Sequence, residues 1–82
     1  MNRERLIIEG RLAACRRELT EVKAEARAQI GGLRERLTAV VGRELDELDI
    51  DGCGALWRRL EELIARLRRL RAEMKELEAE LN

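Results

Sequence analysis

Residues 54–81 read GALWRRLEELIARLRRLRAEMKELEAEL, and the spacing of their apolar side chains decides the fold. Leu56, Leu60, Leu63, Leu67, Leu70, Met74, Leu77 and Leu81 follow one another at alternating steps of four and three. That alternation is the heptad seam of a helix that lies along another helix, and leucine fills seven of the eight positions. Immediately upstream, Asp49-Ile50-Asp51-Gly52-Cys53-Gly54 interrupts any periodic pattern. Its two glycines permit a tight turn and its aspartates suit the start of a helix.

Before this break runs a second apolar stripe, Ile8, Leu12, Cys15, Leu19, Val22, Ala26, Ile30, Leu33, Leu37, Val41, Leu45 and Leu48. Its steps are all three or four and average about 3.6 residues, the repeat of an α-helix. Composition agrees, because Ala, Glu, Lys, Leu and Arg make up 55 of the 82 residues and proline is absent. The pattern predicts an all-α chain and a single domain. Helix one spans about 2–48, the turn 49–53 and helix two about 54–81, folded as a long antiparallel coiled-coil-like hairpin.

Gly31-Gly32 offers a competing reading, since a glycine pair inside a helix costs about 2 kcal/mol relative to alanine and can mark a corner. Bending there yields three helices, with a middle helix too short to meet the apolar ends of its neighbours. The unbroken hairpin is preferred. Folding about residues 49–53 pairs Leu48 with Leu56, Leu37 with Leu67 and Val22 with Leu81. The same register sets the acid-rich segment 43–51 beside Arg58 and Arg59, and the acids Glu73, Glu76, Glu78 and Glu80 beside Lys23 and Arg27. It also leaves Ile8, Leu12, Cys15 and Leu19 without a partner inside the chain. Trp57 and Ile64, seven residues apart, flank the seam of helix two. These six residues are the expected protein interface, and a dimeric four-helix bundle of two hairpins is the simplest assembly that covers them.

The chemistry the chain lacks is equally informative. Histidine and serine are missing, so neither a Ser-His-Asp triad nor a histidine metal site is available. Two cysteines alone hold no structural zinc, and no metal or cofactor is expected. Residues 47–58 place Asp49, Asp51 and Gly52 as a calcium loop would, but Glu47 and Arg58 stand at the ends where Asp and a bidentate Glu belong, so the aspartates read as helix caps. Cys15 reads as a small buried hydrophobe and Cys53 as a turn residue; a redox switch through either is the lesser reading. The longest uncharged runs are far short of a bilayer span, Glu4 and Glu9 interrupt any N-terminal leader, and the two lysines do not make a membrane-surface helix.

One cluster points elsewhere. Arg58, Arg59, Arg66, Arg68, Arg69 and Arg71 crowd helix two, and arginine suits phosphate recognition. Against this stand 17 basic and 17 acidic residues, zero net charge and a single aromatic. The expected function is therefore a non-enzymatic oligomerisation or protein-interaction module in the cytoplasm, partnered by a second copy or another helical protein. The alternative is a small nucleic-acid-associated protein using the arginine face.

Overall fold

The computed structural model describes residues 2–82 as two long helices joined by a ten-residue connection. Helix α1 spans Asn2–Ala39 and helix α2 spans Ile50–Leu81, and they pack antiparallel into a rod 66 Å long and 16 Å by 14 Å across. The expected hairpin is present. No residue among those described is in a β-strand, and α1 runs straight through Gly31-Gly32. At Gly32 a reason for glycine is visible, because a Cβ there would lie 3.2 Å from Leu56 Cδ1. The two helices touch closely at that level.

The first helix ends about nine residues earlier than the sequence stripe suggests. Helix α1 stops at Ala39 rather than near residue 48, where the β-branched pair Val40-Val41 and then Gly42 follow. Three-residue turns take over, with the Val41 amide donating to the Thr38 carbonyl and the Arg43 amide to that of Val40. A single 3-10 turn, Leu45–Glu47, leads to Asp49. Asp49 caps α2, its Oδ1 accepting from the Gly52 amide at 2.9 Å, while Arg36 Nε donates to its Oδ2 at 3.4 Å. Gly52 makes this cap fit, since a Cβ there would sit 1.9 Å from Asp49 Oδ2. The expected capping by an aspartate of the 49–54 segment is thus present, but it starts α2 at Ile50 instead of Gly54.

Moving the turn changes the register and removes the expected overhang. Leu12 and Cys15 are buried against α2, joined in the core by Val22, Ala26, Leu60, Leu63, Leu70 and Leu77. Ile8 and Leu19 are half-buried around the same core. The N-terminal arm is therefore covered within the chain, where the expected register left it bare. Its seam is a strict heptad in α1 as well: Ile8, Leu12, Cys15, Leu19, Val22, Ala26, then Gln29 and Leu33, at steps of four and three. Ile30 and Leu37 fall off this seam. They are exposed, as are Val41 and Leu45.

Ion pairs fix the same register along one side of the seam. Arg59 pairs with Glu25 at 2.6 Å, Arg66 pairs with Glu18, and Arg11 pairs with Glu73 at 3.3 Å. The residue numbers of each pair add to 84, and successive members are seven apart on both helices. The expected contacts of Arg58 and Arg59 with segment 43–51, and of the acidic tail with Arg27 and Lys23, are not formed as ion pairs. Within α2, Arg59 also reaches Glu62 at 3.0 Å.

A candidate protein-interaction face

A two-helix hairpin has two open sides, one on each flank of its seam, and here they differ in chemistry. On α2, Arg59, Arg66 and Glu73 each precede a seam residue by one, whereas Trp57, Ile64 and Arg71 each follow one. The two rows therefore lie on opposite flanks. The first row carries the ion pairs to Glu25, Glu18 and Arg11. The second faces Lys23, Ile30 and Leu37 of α1, a row also seven residues apart; Lys23 and Arg71 line one groove together with Leu19 and Met74.

One flank is thus salt-bridged, and the other is apolar along the half of the rod nearest the turn. In that half, Ile30 and Leu37 of α1 lie on the same flank as Ile50, Trp57 and Ile64 of α2, each row repeating every seven residues. Trp57 is 55% exposed and Leu37 51%. A shallow groove beside them is lined by Trp57, Leu60, Glu61, Ile64 and Arg68. Internal packing does not compensate. Between Ala26 and Leu60 no residue belongs to the buried core, yet six of the eight large exposed hydrophobic residues among those described lie in this stretch: Ile30, Leu37, Val41, Leu45, Ile50 and Trp57. The other two, Leu6 and Ile7, sit at the open end.

The expected interface residues therefore separate. Trp57 and Ile64 lie together on the apolar flank, whereas Leu12 and Cys15 are inside the hairpin and Ile8 and Leu19 border its core. Ile30, Leu37 and Ile50 belong to the flank and are not among the expected residues. Reading α1 as one continuous stripe seats Ile30 and Leu37 in the seam. The consecutive steps of four at Val22-Ala26-Ile30 and from Leu33 through Val41 to Leu45 are the signal that they leave it.

The six arginines do not form one face. Arg59 and Arg66 are held in ion pairs on the salt-bridged flank, Arg71 is on the apolar flank, and Arg58, Arg68 and Arg69 are spread around the outer side of α2. Glu25 accepts the Arg59 guanidinium, which holds its carboxyl below the usual carboxylate range and raises the arginine further.

The thiols are far apart and free. Cys15 packs near Glu73 and the middle of the C-terminal half of α2, and burial, reinforced by the Glu73 carboxylate, pushes its thiol up. Cys53 lies in the first turn of α2, about 30 Å away at 1.5 Å per helical residue. Among the described residues no group of three or more His, Cys, Asp or Glu side chains is placed to hold a metal ion, and no helix is long and apolar enough to cross a membrane. Comparison with protein-family models, with curated proteins and with solved structures finds no match for this chain.

Proposed function

We propose that this protein is a non-enzymatic helical interaction module that docks through the apolar flank of its turn-proximal half. The observation carrying this reading is the concentration of Ile30, Leu37, Ile50 and Trp57 on or beside one flank of a segment with no buried core of its own. Apolar area of that kind is stabilised by leaving water, and within the hairpin no further element covers it. Trp57 is the natural anchor, since tryptophan is enriched among residues that dominate binding energy. The two unpaired cysteines fit a reducing compartment such as the cytoplasm.

A nucleic-acid role through the arginines draws less support. Two of the six are committed to acidic partners, and the remainder do not converge on one surface that could track a phosphate backbone.

The test is a triple variant, Leu37→Glu, Trp57→Glu and Ile64→Glu. Circular dichroism should show an intact hairpin, because none of the three is fully buried. Association should be lost, measured both as self-association of the purified chain and as capture of other proteins by the tagged chain in cells. If both kinds of association survive the triple variant unchanged, the docking reading is wrong.

A further inference from the structure

We infer that the occupant of this flank is a second copy of the chain, packed antiparallel about a two-fold axis passing beside Trp57; this rests on the docking reading above. The first support is symmetry in the pattern itself. Ile50 and Ile64 stand seven residues before and after Trp57 on the same row of α2. On α1, Ile30 and Leu37 are centred between residues 33 and 34, beside Leu56 and so close to the level of Trp57. Both rows are therefore palindromic about nearly one point along the rod. An isologous interface requires this, because each residue must meet the mate of its own mate. Trp57 would meet Trp57 of the second copy, Ile50 would meet Ile64, and Ile30 would meet Leu37.

Charge complementarity is the second support, and it comes from residues outside the apolar patch. Segment 43–51 carries Glu44, Asp46, Glu47, Asp49 and Asp51 against the single Arg43. An antiparallel partner centred on Trp57 brings this acidic turn about 15–20 Å past the axis, by the 1.5 Å rise per residue. At that level on the same flank lie Lys23 and Arg71, with Arg68 beside them, and none of the three is in an ion pair among the described residues. A parallel partner sets acidic turn against acidic turn instead.

Size is the third. Overlap from the turn to Arg71 is about 40 Å long at the helical rise, on a rod 16 Å wide. That covers roughly 650 Å² per copy, which falls at the lower end of stable interfaces.

The experiment uses the full chain in a Cys53→Ala background, with Cys15 retained in the core. Sedimentation across a dilution series should show a monomer–dimer equilibrium that Trp57→Glu weakens at least roughly thirtyfold. Arg71→Glu should weaken it roughly three- to tenfold. Under mild oxidation, chains carrying Ile50→Cys should cross-link to chains carrying Ile64→Cys and neither should cross-link to itself, while Trp57→Cys chains should self-link. Self-linking by Ile50→Cys and Ile64→Cys chains, or no linking at all in a chain that dimerises, overturns the antiparallel contact. A chain that stays monomeric to millimolar concentration overturns the second copy, and flank-dependent capture of another protein would then leave the docking reading standing alone. Dimerisation indifferent to Trp57→Glu overturns the present inference and removes self-association as support for that reading.

Discussion

Replacing Leu12 and Leu37 by alanine, one at a time, distinguishes the observed register from the one that closes at residues 49–53. Leu12 is 3% exposed in the seam beside α2, and Leu37 is about half exposed. A fully buried leucine side chain is worth about 1.5–3 kcal/mol in transfer alone, and core leucine-to-alanine changes cost about 2–5 kcal/mol once the cavity is included. In a rod only two helices thick a cavity partly opens to solvent and relaxes, so about 2–3 kcal/mol is expected for Leu12→Ala. Leu37→Ala removes a side chain already half in water and should cost under about 1 kcal/mol. In the competing register Leu37 faces Leu67 in the seam and Leu12 projects free, so the order inverts.

Urea unfolding followed by far-ultraviolet circular dichroism reads the difference. It should be run in a Trp57→Glu background, so that association through the apolar flank lends Leu37 no stability. With a urea slope of about 1 kcal/mol/M, Leu12→Ala should lower the midpoint by about 2 M or more and Leu37→Ala by less than about 1 M. A Leu12→Ala chain already unfolded without urea meets the same expectation, since small helical domains hold only about 3–5 kcal/mol. Equal midpoints, or a larger loss at Leu37, refute the register.

Three further outcomes follow from the same geometry. Gly52→Ala should be close to neutral in the native chain, where the gain of up to about 1 kcal/mol in helix propensity is offset by loss of the Asp49 cap; in an Asp49→Ala background the same change should stabilise, and thermal melts of the four chains should show that coupling. Gly31→Ala, with open space at its Cβ, should raise the melting temperature by about 4–8 °C, whereas Gly32→Ala should gain less because its Cβ crowds Leu56; equal gains would contradict the close approach. Alkylation of the native chain at pH 8 should modify Cys53 well before Cys15, and the pH–rate curve of Cys15 should be displaced upward, because a buried thiol raised above its ordinary value supplies less thiolate at any given pH; equal rates would show that Cys15 is not buried.

The hairpin, its helix-two seam and the absence of a corner at Gly31-Gly32 are all legible in the residues. The register is not, and the reason is specific. Any two apolar stripes can be slid into some pairing, so matching Leu48 to Leu56 and counting partners does not choose among registers. What does choose is regularity: Ile8 to Ala26 repeats the strict four-three alternation of Leu56 to Leu81, and the steps of four after Ala26 do not. A supercoiled seam keeps its contact only with a 3.5-residue repeat, so the regular part of helix one must meet helix two. The charge rows carry the same information. Glu18 and Glu25 are seven apart, as are Arg59 and Arg66, and the observed pairing joins both couples at once. The α1 end at Ala39 was harder to see, because Val40 and Val41 only weaken a helix and do not forbid it.

That departure from the heptad also accounts for where the candidate interface lies. A side chain placed four residues on, when the seam calls for three, is turned about two sevenths of a revolution further around the supercoiled helix. Ile30 follows Ala26 by four and stands beside the seam position held by Gln29, and Leu37 stands beside Arg36 in the same way. Two polar residues thus occupy seam positions while two apolar residues occupy the flank. This weakens the hairpin near its turn and equips that flank to bury hydrophobic surface against a further element. Trp57 and Ile64 border the same side of α2, so both helices turn apolar residues toward one flank while the other is closed by Arg59–Glu25 and Arg66–Glu18. The strict repeat toward the open end builds the rod, and the looser repeat toward the turn supplies the exposed apolar surface on which the proposed docking rests.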